Sequence, residues 1–191
     1  NAPFRIQPVD SVEKEQLVRN IRENLDIIPK WVNRCRPHDK IAWLLSAGGS
    51  LSKCLKTKFL HKDSFPENHV VFCVKHSVPI LKDHGIIPFG MITLDPRPVD
   101  QKSTHGVTRK DLFSALDKTT ICFVASMTHP SQVRYMMDRG HNVVGWNAAV
   151  QGYENFPQVP FWITQGTCSA TRGIGLVHAL GFREINLVGY D

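Results

Sequence analysis

Small residues follow the first apolar segment of this sequence, at the point where a buried strand would end. The segment IAWLL gives way to Ser46, Ala47, Gly48, Gly49 and Ser50, and a helical segment with spaced lysines comes next. Glycine lets a ligand approach the backbone closely, and the unpaired N–H groups that open a helix attract phosphate. The turn therefore indicates either a cradle for an anionic ligand or a tight turn in which the Ser50 hydroxyl caps the helix.

A second run of small residues and hydroxyls opens the last helical segment. Gly166, Thr167, Cys168 and Ser169 stand there, with Arg172 one turn further on. Two such helix starts at one edge of a sheet predict a ligand with more than one anionic group, which Arg172 can help to hold. A thiol at a helix start can be reactive. No histidine is paired with Cys168 by spacing, so we interpret it as part of the backbone frame.

Three further polar residues stand where other apolar segments end. Asp95 ends the segment GMITL and precedes a proline, Asp191 follows the last apolar segment, and His129 lies in a THPSQ loop. A carboxylate at such a position can ligate Mg²⁺, accept a hydrogen bond from a sugar hydroxyl, or cap a turn. His129 is suited to act as a general base or a phosphate ligand, although a loop histidine is often only solvated.

These residues must be positioned by short apolar segments that alternate with amphipathic ones. The predicted strands span 41–45, 70–74, 90–94, 120–125, 142–146 and 185–189, and the predicted helices span 50–57, 77–84, 108–117, 131–139 and 167–180. Such alternation indicates an α/β fold, with an open, mostly parallel, Rossmann-like sheet covered by helices on both faces. Ligands bind beyond the carboxyl ends of the strands in such sheets, which is where the polar residues would converge.

The sequence predicts two parts of unequal size. Residues 1–40 would form an N-terminal helix, with Asp10 and Glu13 at its start, followed by a linker. Residues 41–191 would form the Rossmann-like domain. The chain stops directly after its last predicted strand, where a doubly wound domain usually adds a helix, so we expect the full-length protein to continue.

Composition narrows the class of protein. Of the 191 residues, 42% are hydrophobic, which suits one domain with a sizeable core. The five cysteines form no C-x-x-C pair, so we expect a reducing, cytoplasmic setting without zinc. No apolar run approaches the roughly 18 residues that span a bilayer. The net charge of +6 suits a nucleotide, a nucleic acid or an acidic membrane surface, or reflects only a solvated lysine-rich face. Binding to nucleic acid ranks last because few aromatic residues lie among Lys53, Lys56, Lys58 and Lys62.

Three stretches together resemble the 6-hydroxymethylpterin diphosphokinase-like family: SAGGSL, HGIIPFGMITLDPRP and GTCSATRGIGLVHALGFREINLVGYD. The resemblance runs from about Ile41 to Asp191. Family members usually show Gly-Pro-Ser-Leu at the first turn, so Gly49 stands where proline is usual, which loosens the turn but keeps its backbone donors. By position, the resemblance implies nucleotide loops at residues 48–50 and 166–169, with Asp95 as the acidic strand end.

The resemblance also implies an activity, that of a nucleotide-dependent transferase. Archaeal members transfer diphosphate from a nucleoside triphosphate to a pterin alcohol, and Asp95 with Asp191 would hold the Mg²⁺ that this reaction uses. Relatives include flagellin-modifying glycosyltransferase-like proteins, and the fold is similar to that of bacterial sialyltransferases. Glycosyl transfer from a CMP-sugar, with His129 as the base, is therefore the alternative, and a non-catalytic nucleotide-binding module is another. The expected partners are a nucleotide and a small hydroxyl acceptor, and a homo-oligomer is compatible with the sequence.

Overall fold

The computed structural model describes residues 12–57, 60, 65–103, 106–149, 162–163, 166 and 168–191. The strands of the described residues are β1 (Ile41–Leu45), β2 (His69–Val74), β3 (Gly90–Thr93), β4 (Ile121–Ala125), β5 (Val143–Trp146) and β6 (Glu184–Val188). The α-helices are α1 (Lys14–Ile27), α2 (Gly49–Lys56), α3 (Val78–Asp83), α4 (Arg109–Ser114), α5 (Pro130–Asp138) and α6 (Ser169–Ala179).

The six strands form one sheet in the order β5-β4-β3-β2-β1-β6. Every pairing is parallel, as in the central pairs where Ala42 lies opposite both Val70 and Ile185. This confirms the predicted Rossmann-like α/β fold. The strand order runs outward from β1 to β5 and then returns to the other side of β1. The reversal between β1 and β6 is the switch point, where open α/β sheets bind their ligands.

Helices cover both faces of the sheet, as the continuous apolar strands predict. On one face, α2, α3, α4 and α5 bury a cluster that includes Leu51, Phe113 and Met136. On the other face, α6 buries Leu176 and Val177 against β1 and β3. Gly173 lets α6 pack closely, because a Cβ atom there would lie 3.2 Å from side-chain carbons of both Leu44 and Ile92.

The predicted N-terminal helix is confirmed as α1, which begins at Lys14 after Glu13. Asp10, the expected start, lies outside the described residues. The α3, α4 and α6 helices are shorter than predicted, whereas α2 and α5 have the predicted length and begin one residue earlier. The α4 helix ends at Ser114 because the Ala115 N–H already turns back to Leu112, three residues earlier. Within the described ranges, no helix is both long and apolar enough to cross a bilayer.

Candidate functional site

A polar cleft of about 280 Å³ opens at the carboxyl ends of β1, β2 and β3, next to the first turn of α6. The residues that follow each of these strands lie at the cleft, because parallel strands end at the same edge of a sheet. Its described polar residues are Ser46 after β1, Lys75 and His76 after β2, Asp95 and Arg97 after β3, and Cys168 and Ser169 at the start of α6.

Asp95 lies at the centre of this cleft and binds three cations. Its carboxylate accepts hydrogen bonds from Arg97 Nε at 2.8 Å, Arg97 Nη2 at 2.9 Å, Arg109 Nε at 2.9 Å, and the Lys75 ammonium. Burial by itself would raise the pKa of the Asp95 carboxyl. The hydrogen bonds from Arg97 and the charge of Lys75 outweigh burial, so the pKa is held well below its usual range.

The cluster is short of negative charge. Burial lowers the pKa of Lys75 to about 8, and the opposing attraction of Asp95 does not restore it. The pKa values of Asp95 and Lys75 respond differently to their pairing. Asp95 is stabilised as a carboxylate by three cations, whereas Lys75 shares this one carboxylate with two guanidinium groups that repel it. Burial and the charge of Lys75 also lower the pKa of His76, so this imidazole is neutral near pH 7.

The residues around Asp95 do not fit a divalent cation. Both carboxylate oxygens already accept hydrogen bonds from cationic side chains, whose charge would repel a metal ion. Across the described ranges, no group of three or more His, Cys, Asp or Glu residues could hold a metal. A requirement for Mg²⁺ therefore stays a prediction from the family resemblance.

Buried side-chain amides fix the backbone that carries Asp95 and Arg97. Gln132 Nε2 donates to the carbonyls of Asp95 at 2.9 Å and Arg97 at 2.5 Å. From α1, Asn20 Nδ2 donates to the Pro96 carbonyl at 3.0 Å, so three successive carbonyls are held. Because these amides are almost fully buried, their hydrogen bonds do not compete with water. The loop after β3 is thereby held in one conformation.

The α1 helix also holds the turn after β4. Asn24 Nδ2 donates to the carbonyls of Ser126 at 2.9 Å and Thr128 at 2.6 Å. Asn20 and Asn24 stand four residues apart, so they share one face of the helix and reach neighbouring loops. This arrangement makes α1 part of the frame of the cleft.

His129 lies at the start of α5, in the loop after β4. Its Nδ1 atom accepts a hydrogen bond from Ser131 N at 3.2 Å and lies 2.8 Å from Ser131 Oγ, so the imidazole caps α5. Its backbone N–H donates to the Asp95 carbonyl at 3.1 Å. Burial lowers the pKa of His129, and the cap holds the ring toward its own helix. A base role for His129 stays a prediction.

The first glycine turn packs against the end of the chain. The Asp191 carboxylate accepts hydrogen bonds from Ser50 N at 3.0 Å and Ser50 Oγ at 2.5 Å, at the start of α2. A Cβ atom on Gly48 would lie 2.6 Å from the Asp191 carbonyl oxygen, so glycine is required by this contact. Ser50 accepts from Gly189 N–H and does not cap the helix, whose N-cap is Gly48. A carboxylate thus lies at the helix start that was expected to attract an anion.

The second helix start borders the cleft. Gly166 has φ +86°, which favours glycine, and its carbonyl accepts from Arg172 Nε at 2.9 Å. Cys168 precedes α6, and Ser169 is its first residue. Burial raises the pKa of the Cys168 thiol. Hydrogen bonds from Thr171 and Ala170 and the charge of Arg172 lower this pKa by more than burial raises it, so the net shift is downward. Thr167 lies outside the described residues. Nucleotide binding at these positions, and at Ala47, Gly48, Gly49 and Ser50, stays a prediction.

Several residues of the cleft were missed from sequence. Lys75 and His76 follow β2 directly, so the same inspection of strand ends that found Asp95 would have found them. Arg97 lies only two residues after Asp95. Arg109 and Asn20 carried no local signal, because Arg109 enters from α4 and Asn20 contacts a loop 76 residues away.

The fold and the cleft define the protein as an open α/β domain with a pocket that contains cationic side chains at the carboxyl ends of its strands. The chain belongs to the 6-hydroxymethylpterin diphosphokinase MptE-like family, whose model matches residues 15–191. Among solved structures, the chain is similar to the Maf glycosyltransferase of Magnetospirillum magneticum AMB-1, at a TM-score of 0.60 and 14% identity. The match covers 92% of this chain and 27% of that one, so the chain spans about a quarter of that protein's length. No match is found among curated proteins.

Proposed function

We propose that this protein is a nucleotide-dependent transferase, whose cleft holds the phosphates of a nucleotide while a group passes to a hydroxyl acceptor. The family match and the structural neighbour both support a transferase. The observation that carries the proposal is the cleft, which joins cationic side chains after β2 and β3 to the start of α6. Cations and helix N–H groups in fixed positions stabilise the negative charge that develops on a leaving phosphate.

Diphosphate transfer from a nucleoside triphosphate to a pterin-like alcohol is the first candidate reaction, because the family is described by it. In this reaction the Lys75 ammonium and the Arg97 guanidinium would face the phosphates, and the loop after β3 would keep them in place. Mg²⁺ belongs to the family chemistry, but the residues around Asp95 do not fit the ion. We therefore assign no step to a metal there.

Glycosyl transfer from a nucleotide-sugar is the second candidate. The cationic surroundings of Asp95 favour it, because a reaction of this kind can proceed with protein cations in place of a metal. The structural neighbour is a glycosyltransferase, which supports the same reading through the fold. A nucleotide-binding module without catalysis would use the same cleft. It would bind a nucleotide but show no turnover, which distinguishes it from both enzymes.

A thermal-shift screen tests the proposal. ATP, GTP, CTP, CMP and a CMP-sugar are each added with and without Mg²⁺, and a ligand that binds the native state raises Tm by mass action. A shift with a triphosphate that needs Mg²⁺ supports diphosphate transfer. A shift with CMP or its sugar that needs no metal supports glycosyl transfer. The absence of any shift contradicts nucleotide binding.

Ser169→Asp is the informative variant for this screen, with Ser169→Ala as its matched control. A carboxylate in the first turn of α6 interacts favourably with the positive end of the helix dipole, so the variant should keep the fold and be as stable as the native protein or slightly more stable. The same charge repels an anionic ligand at the cleft. We expect Ser169→Asp to abolish the nucleotide shift and Ser169→Ala to retain most of it. Equal shifts in both variants would place the nucleotide elsewhere on the protein.

A further inference from the structure

We propose that Lys75, Arg97 and the first turn of α6 form a subsite for a phosphate or diphosphate group, and that Asp95 is the counter-ion that positions these cations. The proposal rests on the proposed function, since it assigns one part of the nucleotide to one part of the cleft. The same geometry makes Asp95 a positioning residue instead of a ligand of the substrate or of a metal.

The first argument for the subsite is the excess of positive charge around Asp95. Lys75, Arg97 and Arg109 surround a single carboxylate. The Lys75 and Arg109 side chains are 6% and 4% exposed, so water does little to screen them. Buried charges that exceed their counter-ions are costly for a protein to keep. An anion with two negative charges would balance the two cations in excess.

The positions of the donors carry the second step. An ammonium group has three N–H donors, of which the described contacts place one on Asp95. The Arg97 side chain is 37% exposed and lines the cleft, with Nε and Nη2 on Asp95. Cys168, Ser169 and Ala170 at the start of α6 line the same space.

The rigidity of the loop after β3 carries the third step. The carbonyls of residues 95–97 are held by buried amides from α1 and α5. A surface ion pair would need no such support. Catalytic and binding groups, in contrast, must be held within a fraction of an ångström of their working positions. The support therefore indicates that the direction of Arg97 matters for a ligand.

Inorganic pyrophosphate is the probe, and isothermal titration calorimetry on the whole chain measures its binding. Lys75→Met and Arg97→Ala each remove one charged hydrogen-bond donor from the cleft and leave Asp95 with two cations. We expect each variant to weaken pyrophosphate binding about tenfold or more. Lys110→Ala is the matched control, because Lys110 is exposed and pairs with Asp100 away from the cleft. It should change the affinity less than about threefold. Equal losses in all three variants would reduce the effect to net charge and overturn the proposal.

Asp95→Asn separates a counter-ion from a metal ligand by the sign of its effect. If Asp95 is the counter-ion, its removal leaves the cations unbalanced, and pyrophosphate should raise Tm more in Asp95→Asn than in the native protein, without Mg²⁺. If Asp95 instead held a metal, the shift measured with Mg²⁺ present would be smaller in Asp95→Asn than in the native protein, which would overturn its assigned role. Should Asp95→Asn not fold, the calorimetry of Lys75→Met and Arg97→Ala decides the proposal alone.

Failure of this subsite is distinguishable from failure of the proposed function. Nucleotide binding that is lost in Ser169→Asp but unchanged in Lys75→Met and Arg97→Ala overturns the subsite and leaves the transferase proposal intact. Pyrophosphate binding that depends on both cations, without binding of any nucleotide, keeps the subsite and contradicts the proposed function. Absence of pyrophosphate binding at millimolar concentration also overturns the subsite.

Discussion

The amino edge of the sheet, where the parallel strands begin, and its carboxyl edge, where they end, differ in the volume of their cavities, in charge and in the contacts that hold their loops. At the amino edge, two cavities of about 390 and 520 Å³ share the segment from Gly85 to Pro88. Ile87 and Phe89 stand there with 58% and 48% of their surface exposed. At the carboxyl edge the cleft is smaller, about 280 Å³, but it contains Lys75, Asp95 and Arg97. Volume alone would therefore direct attention to the wrong edge.

The loops at the two edges are held by different kinds of contact. The amino-edge loop before β3 is held mainly by backbone contacts, such as Ile86 N–H to the Leu81 carbonyl at 2.9 Å. The carboxyl-edge loops are held by buried side chains from other helices, as with Gln132 and Asn24. A buried amide must find its partners or destabilise the protein. Such groups are expected where a loop must keep one conformation.

The largest effect expected from this comparison is that of Asp95→Ala on stability. The variant leaves two almost fully buried cations without their carboxylate. Breaking a buried ion pair from one side lowers the free energy of unfolding by about 3–5 kcal/mol. Urea unfolding monitored by tryptophan fluorescence measures the change.

Ile87→Ala is the matched control at the amino edge. Because Ile87 is mostly exposed, its truncation should change the free energy of unfolding by no more than about 0.5 kcal/mol. Equal effects of Asp95→Ala and Ile87→Ala would erase the difference between the two edges.

A smaller effect is expected when the support of the carboxyl edge is removed from α1. Asn24→Ala deletes the donor to the carbonyls of Ser126 and Thr128 and should lower the free energy of unfolding by about 1–3 kcal/mol. Hydrogen exchange should become faster in the loop that leads to His129, because its carbonyls lose their fixed partner. Arg19→Ala, on the exposed side of the same helix, should leave both quantities nearly unchanged. Unchanged exchange in Asn24→Ala would show that the loop holds its conformation without α1.

Much of the fold could be predicted because it depends on local pattern. The first predicted strand, 41–45, matches β1 residue for residue, β2 to β5 differ by one residue at one end, and β6 is displaced by one residue. Continuous apolar strands and intervening helices require a parallel sheet with two covered faces. That topology in turn places Ser46 and Asp95 at one edge, before any contact between them is known.

The contacts within the site could not be predicted in the same way. Ser50 bonds to Asp191 across 141 residues of chain, and the sequence offered only a helix cap or a ligand for that hydroxyl. Arg109 and Lys75 converge on Asp95 because α4 and β2 meet beside β3, which is a property of the packed structure. Local spacing contains no signal for such pairings. The chemical environment of a carboxylate therefore has to be read from the fold.

An effect of similar size is expected in the pH dependence of stability, and it depends on Lys75. Burial lowers the pKa of Lys75 from 10.5 to about 8, so the unfolded chain binds more protons than the native protein between these two pH values. The contribution of Lys75 to the free energy of unfolding should therefore rise as pH increases from 8 to 10, by at most about 3 kcal/mol. Comparison with Lys75→Met isolates this contribution.

The comparison is needed because buried thiols act in the opposite direction. Burial raises the pKa of Cys73 and Cys122, so their ionisation in the unfolded chain removes stability above about pH 9 in every variant. That loss cancels when native protein and Lys75→Met are subtracted at each pH. The difference between native protein and Lys75→Met should grow as pH increases from 8 to 10. A flat difference would mean that Lys75 is neither desolvated nor repelled by the guanidinium groups around Asp95, and the charge argument for an anion in the cleft would fail with it.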